Sequence, residues 1–387
     1  MHHDVYLSPG MFGFGRLGSY NYFAHVEREL TARFAAAGQS LVAHVIEDLP
    51  TASIRRRATR LAETVATTAS PSGVIHLLGH STGGLDARIV ASPATHAIDD
   101  ASLAWLPRLR SVTTMNTPHF GTPLASFFAT SNGQRALAAL SMLTVAGLAI
   151  GARPLAAAGV LVGCLHGSGR LLALELRLLD RTVESVAGLI EDACSPSVRE
   201  FLTAIQEDQG AMLQLSPESM DLVGAGIGDR PGVVYRCTAS MAPSPTPRRW
   251  LATFGHPWQA VSHSLFYALH RITADPDDRY QCTALRDALP WAGDASETAM
   301  TSMLQCSPSI DANDGCVPLR SQLWGELAWA GLGDHLDVLG HYQDDREPED
   351  LPPELRHVDW LKSGSDFGHG NFAKLMDAIA AGMLAST

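Results

Sequence analysis

"GVIHLLGHSTGGLDARIV", residues 73–90, passes from an apolar stretch into a glycine-framed serine and out into a second apolar stretch. "GVIHLLG" has the length and continuous apolarity of a buried strand, and "LDARIV" suits a helix that follows it. Between them Ser81 sits in a Gly-x-Ser-x-Gly pattern. So sharp a strand-to-helix turn is strained and crowds the adjacent backbone, so it needs small residues two positions to either side. Gly79 and Gly83 supply them. A helix starting near Thr82 would turn its unpaired amides and positive dipole end toward charge developing on the serine oxygen. Ser81 is therefore a candidate nucleophile. The alternative is a turn without chemistry, since GxSxG alone arises by chance in a chain with 34 glycines.

Working outward, strand and helix signals alternate. Val5 to Leu7 form a short apolar run that breaks at Pro9 and Gly10. Phe23, Val26, Leu30 and Phe34 recur at helical spacing and stop at Gly38. "LVAHVI", 41–46, reads as a buried strand, Ile54, Ala58, Leu61 and Val65 as a helical face, and "SVTTMN", 111–116, as a further strand. Continuous apolar strands separated by amphipathic helices predict a mostly parallel sheet covered on both faces. Beyond Gly133 the pattern changes. Residues 136–152 carry no charge, and after Arg153 and Pro154 comes "PLAAAGVLVGCL". The uncharged run is at the lower limit of a membrane span and ends in Arg-Pro, so it reads as a buried helical hairpin or an apolar flap over a pocket. Helical periodicity continues over 168–209 through Leu171, Leu174, Leu178 and Val183, and strand character returns in "GVVYRCTAS", 232–240. The expected organisation is a core of 1–133 and 230–387 with a helical lid or cap inserted at 134–229. Phe372, Leu375, Met376, Ile379 and Met383 predict a C-terminal helix against the sheet.

A 387-residue chain with 46% hydrophobic residues can bury a large core, which argues against disorder. A net charge of −12 and the lack of a basic block argue against nucleic acid and favour a small or apolar ligand. The opening "MHHDVYLSPG" has no signal-peptide pattern, which fits a cytoplasmic protein or a mature secreted form. Cysteines 164, 194, 237, 282, 306 and 316 form no CxxC pair or zinc-like spacing, and their pairing stays open.

A serine nucleophile needs a general base, and the base needs an orienting carboxylate. In a strand–serine–helix architecture the chain order is serine, acid, histidine. "ANDGCVP", 312–318, offers Asp314 in an Asn-Asp-Gly turn, with Asp311 as the substitute acid. "GDHLDVLGH", 333–341, offers His335, with His357 of "LRHVDW" as its rival. Asn-Asp-Gly is also a strong turn signal by itself. His119 of "TPHFG" reads as a supporting residue. His256, His263 and His270, seven apart, read as one partly polar helix face rather than a zinc stripe.

With these motifs in order, the sequence resembles bacterial triacylglycerol lipases of the Pseudomonas and Burkholderia type, in the α/β-hydrolase superfamily. The resemblance runs from Val5 to about His341 and weakens within the insertion. "SPGMFGFG" is similar to their oxyanion loop, "GHSTGG" to their nucleophile elbow, "SVTTMNTPHFGTP" to the segment after the elbow helix, and "NDG" followed by "DHLD" to their acid and histidine region. It implies an α/β-hydrolase fold with an inserted helical lid, and a catalytic Ser81, Asp314 and His335. It also implies an oxyanion hole from the Met11 and Thr82 amides, and hydrolysis of apolar esters through an acyl-enzyme without a cofactor. A structural calcium would be held by Asp337 and Asp294. Two departures stand out. Pro9-Gly10 replaces the family's His-Gly, and His341 replaces a glutamine, although calcium prefers oxygen ligands. The family's cysteine pair is not reproduced.

The same residues would serve an acyltransferase, a phospholipase or a polyester depolymerase, because triad and fold leave the pocket unspecified. A noncatalytic binder on a hydrolase scaffold would normally have lost a triad member. The implied partner is a lipid or ester, met at an oil–water interface in the lipase reading, with no nucleic acid and no integral membrane segment.

Overall fold

The computed structural model describes residues 1–11, 16–17, 20–47, 51–94, 98–150, 155–166, 210–244, 255–274, 294–343 and 359–387, with isolated positions at 181, 184, 186, 188 and 246. Six parallel strands form one sheet: β1 (His2–Ser8), β2 (Ser40–Val45), β3 (Val74–His80), β4 (Leu109–Met115), β5 (Val234–Met241) and β6 (Glu326–Leu332). Their spatial order is β2-β1-β3-β4-β5-β6, and β1 pairs with both β2 and β3. Both faces of the sheet's central strands are covered. Val5, Leu7, Leu78 and Met115 turn to one side of the sheet, Tyr6, Ile75, Leu77 and Val112 to the other. That two-sided burial explains why these strands read as continuous apolar runs.

Helix α1 (Ala24–Ala36) buries Val26, Leu30 and Phe34 and gives way at Gly38, which takes φ +70°. It packs with α11 (His369–Leu384), whose Phe372, Leu375, Met376, Ile379 and Met383 are all buried. On the opposite face α2 (Ile54–Thr68) starts at Ser53, whose hydroxyl accepts from the Arg56 amide, and buries Ala58, Leu61 and Val65. Each such side chain stabilises the fold by about 1.5–3 kcal/mol. Helix α3 (Thr82–Ala91) follows β3 directly.

The chain between β4 and β5 carries α4 (Pro123–Phe128), α5 (Ser131–Ile150), α6 (Leu155–His166), α7 (Gly210–Gln214) and α8 (Pro217–Gly226). The helical periodicity expected over 168–209 lies outside the described residues. After β5 come α9 (Pro257–Thr273), packed on α4 and α6, and α10 (Asp294–Leu304). No described helix is long and apolar enough to cross a membrane. No disulfide links the described cysteines.

Two expectations need correction. "LVAHVI" forms a strand, but β2 lies at the sheet edge and is half-buried, with Val42 exposed. A continuous apolar run specifies a strand without telling centre from edge. His263 and His270 do not form a polar face either: both are buried, His263 against the Lys362 carbonyl, while His256 only begins α9.

A parallel sheet in this order, with a Gly-x-Ser-x-Gly turn between its third strand in sequence and the next helix, is the α/β-hydrolase arrangement. The loops leaving β1, β3, β4 and β6 open at the same carboxyl edge, where ligands bind in such sheets.

Candidate active site

Ser81 links β3 to α3 with φ 54° and ψ −125°, a region an L-residue occupies only under strain. Its amide donates to the Met115 carbonyl at 2.8 Å, tying the turn to the neighbouring strand. The flanking glycines are sterically required. A Cβ on Gly79 would come within 2.2 Å of the Gly83 backbone, and one on Gly83 within 2.0 Å of the Ser8 carbonyl oxygen. The sequence pattern thus reflects three backbone segments in direct contact.

His335 lies just past β6, and its amide donates to the Asp314 carbonyl at 2.9 Å. Its Nδ1 is 2.7 Å from Asp314 Oδ2. A carboxylate only accepts, so Nδ1 carries the hydrogen and Nε2 is left as the basic nitrogen. Asp314 is fully buried and takes four donors. Oδ1 accepts from the Cys316 and Val317 amides at 2.9 and 2.7 Å, and Oδ2 accepts from His335 Nδ1 and Asn116 Nδ2 at 2.7 and 2.8 Å. The "NDG" segment is a turn whose aspartate also meets His335: Gly315 adopts φ +96° where a Cβ would strike Phe266. Asp311 is exposed and makes none of these contacts, and His357 lies outside the described residues.

Ser81 and His335 line one cavity of about 140 Å³. Among the described residues no hydrogen bond joins the Ser81 hydroxyl to the imidazole; such contacts often tighten only when substrate is bound. The cavity walls include Phe128, Leu140, Met212, Leu215, Leu269 and Leu361. Besides Ser81 and His335, three polar side chains of its wall are already hydrogen-bonded elsewhere. Thr122 donates to the Cys316 carbonyl, Thr144 to the Leu140 carbonyl, and the Tyr22 hydroxyl meets His80. Burial and nearby Asp314 push the Cys316 thiol well up, which makes it a poor nucleophile.

The loop after β1 brings Met11 to this cavity, and Thr82 lines it as well. The support that Pro9-Gly10 left in question comes from elsewhere. Arg57 of α2, fully buried, donates to the Pro9 carbonyl and pairs with Asp86 of α3 at 2.8 Å, and Ser8 donates to the same carboxylate at 3.0 Å. The Gly10 amide donates to the Tyr22 hydroxyl at 3.2 Å. That hydroxyl is 2.7 Å from His80 Nδ1, while His80 Nε2 is 2.9 Å from the His335 carbonyl oxygen. A carbonyl only accepts, so His80 carries its hydrogen on Nε2 and accepts from Tyr22 at Nδ1. Burial, reinforced by His335, holds the His80 pKa well below its usual value, and burial raises that of Tyr22. Two neutral groups thus couple the first loop to the histidine loop. His119 is buried outside the cavity, between Arg88 Nη1 at 3.0 Å and Thr114 Oγ1 at 3.1 Å, and clamps α3 to the end of β4.

Tyr22, His80, Arg57, Asp86 and Asn116 were not singled out from sequence. Arg57 had a usable signal, because it falls on the same helical face as Ile54, Ala58 and Leu61. The other four have no local signature.

Of the implied calcium pair, only the Asp337 side chain lies among the described residues. Asp337 Oδ2 is already occupied by the Asp334 amide at 2.8 Å and the Ser365 hydroxyl at 2.7 Å. His341 is a buried imidazole packed edge-on against His25, with no oxygen to offer. The Asp294 side chain lies outside the described residues. No three described His, Cys, Asp or Glu side chains converge as metal ligands.

No protein-family model matches the chain, and no curated protein matches it. Solved structures similar to it are those of lipases and esterases. A metagenomic carboxyl esterase shows 15% identity over 99% of this chain and 76% of the other, with a TM-score of 0.49. A Staphylococcus hyicus lipase shows 13% identity over 99% and 95%, TM-score 0.48. Lipase 1 of Pelosinus fermentans shows 15% over 98% of each chain, TM-score 0.48.

Proposed function

We propose that this protein is a serine carboxylester hydrolase acting on apolar acyl esters such as triacylglycerols, in the manner of the Pseudomonas and Burkholderia lipases its motifs resemble. The observation that carries the reading is that a strained serine and an aspartate-held histidine open on one cavity whose other walls offer almost no polar atoms. Ser81 Oγ attacks the ester carbonyl while His335 Nε2 takes its proton. The tetrahedral intermediate collapses, and His335 returns that proton to the departing alcohol. Water, deprotonated by the same nitrogen, then releases the acid from the acyl-enzyme. The Met11 and Thr82 amides hold the oxyanion, each contributing on the order of 3 kcal/mol. Asp314 keeps the imidazole in the required tautomer and stabilises its charged form.

The chemistry draws on no cofactor, and calcium, if bound, would be structural. Residues 134–229 act as the lid: α5 and α7 contribute Leu140, Thr144 and Met212 to the cavity, so moving them would expose apolar surface to a lipid phase. A profile of p-nitrophenyl esters of increasing acyl length, with Ser81→Ala as control, tests this. The expected result is a preference for longer apolar chains, loss of turnover in the variant, and a rise in activity on emulsified triglyceride above its solubility limit. Undiminished turnover by Ser81→Ala would contradict it, and simple saturation on short soluble esters alone would reduce the lipase to an esterase.

A further inference from the structure

From the geometry around the acid, we propose that Asn116 is a positioning residue that fixes Asp314 for its work on His335. This rests on the hydrolase reading above. Asn116 ends β4 with φ 49°, a left-handed conformation that asparagine tolerates better than most residues. Its amide is still in the sheet ladder, donating to the Thr238 carbonyl at 3.1 Å. The side chain is fully buried, and Nδ2 has two partners, Ser240 Oγ at 2.6 Å and Asp314 Oδ2 at 2.8 Å. The orientation of this amide is chemically forced, since a carboxylate accepts and does not donate, so nitrogen must face Asp314. Among the described residues its own carbonyl oxygen, Oδ1, is buried with no hydrogen-bond partner. A side chain serving packing alone would avoid burying an unmet acceptor, whereas one needed as a donor tolerates it.

The oxygen Asn116 holds is the same one that accepts from His335 Nδ1. The other oxygen is fixed by two main-chain amides, so Asn116 completes a set of donors that prevents the carboxylate from turning about its bond. Ser240 is in turn gripped by Gln322, whose Oε1 accepts from the Ser240 amide at 2.8 Å and whose Nε2 donates to the Ser240 and Val317 carbonyls. The acid loop is thereby referenced to β4 and β5, the rigid sheet.

Losing the Asn116 donor leaves Oδ2 more basic and less fixed. The imidazolium would be held more tightly, and the acid limb of kcat/KM would move to higher pH. The titratable groups facing Asp314 and His335 are each other, Cys316 and Asp334 from the acid and histidine loops, His80 from β3 with its ring 4.7 Å from that of His335, and His270 from α9. All remain in place in the variants.

The test uses Asn116→Gly, which suits a positive φ, and Asn116→Asp, which keeps the shape and replaces a donor with an acceptor. Rates are counted per Ser81 titrated with a phosphonate ester, so a partly folded preparation still reports. The expected result is a kcat lower by about ten- to a hundredfold, as for loss of a hydrogen bond to a charged group, with KM within about twofold. The acid limb should move up in both variants and further in Asn116→Asp. Ser240→Ala, which removes the amide's other partner, should leave that limb in place. Wild-type kcat and an unmoved acid limb in Asn116→Gly would overturn the proposal, as would an equal shift in Ser240→Ala. Absence of ester turnover by the wild type would instead overturn the reading on which it rests.

Discussion

His76 and His80 lie four residues apart on β3, are both fully buried and are both kept neutral by burial, yet they belong to different worlds. His76, toward the amino end, is bracketed by His3 Nδ1 at 3.1 Å and Ser111 Oγ at 2.8 Å, a closed bridge across three strands. His80, at the carboxyl end, connects the loop of Met11 to the loop of His335. The same contrast extends across the sheet. The carboxyl edge collects a serine and an asparagine at positive φ, a buried Arg57–Asp86 pair and a four-donor carboxylate. Each of these is costly unless its partners hold it, and here they hold the turns that bring Ser81 and His335 to one cavity. At the amino end the described buried polar groups bond to one another, His76 to His3 and Ser111, and Asp4 to His44 and Ser70. The difference locates the chemistry on physical grounds independent of any motif.

The largest expected effect lies in the carboxyl edge. His335→Ala and Asp314→Asn should each lower kcat by about 10⁴-fold, the second by imposing the wrong imidazole tautomer, with the fold intact by circular dichroism. At the amino end, His76→Gln should change kcat per labelled serine by less than about twofold. A drop there comparable to that at His335 would dissolve the contrast. Next comes Arg57→Ala, which takes the guanidinium away from the buried Asp86 carboxylate. It should destabilise the protein by about 3–5 kcal/mol in urea unfolding, whereas Arg55→Ala on the exposed side of the same helix should cost under about 0.5 kcal/mol.

The smallest effect sharpens the account of His76. Burial lowers its pKa to about 3, while the unfolded chain protonates near 6.5. The stability it leaves intact above pH 6.5 is therefore lost as pH falls toward 3, by at most about 1.4 kcal/mol per pH unit. His76→Gln should make the fall of Tm between pH 6.5 and 5 shallower, and an unchanged slope would show that His76 does not carry this term.

Much of this was legible in the sequence, and the gaps have a physical pattern. Strand and helix positions came from local periodicity, and a mostly parallel sheet covered on both faces follows from their alternation. The glycines about Ser81 announced the turn because the pattern that marks it is confined to residues 79–83. The edge position of β2 was not readable, since "LVAHVI" carries no mark of how many neighbours it has. Tyr22, His80, Arg57, Asp86 and Asn116 act through partners up to 255 residues away, and no periodicity encodes such pairings. The loop at Pro9 and Gly10 illustrates this, because it is held by an arginine on α2 and a tyrosine before α1.

The central claim is that the strained turn presents Ser81 as a nucleophile activated by His335. Incubating the folded protein with a phosphonate ester and mapping the adduct by mass spectrometry tests it directly. One adduct per chain on Ser81, strongly slowed in His335→Ala, is the predicted result. Folded wild-type protein that takes up no phosphonate, or takes it up on a residue other than Ser81, would contradict the account.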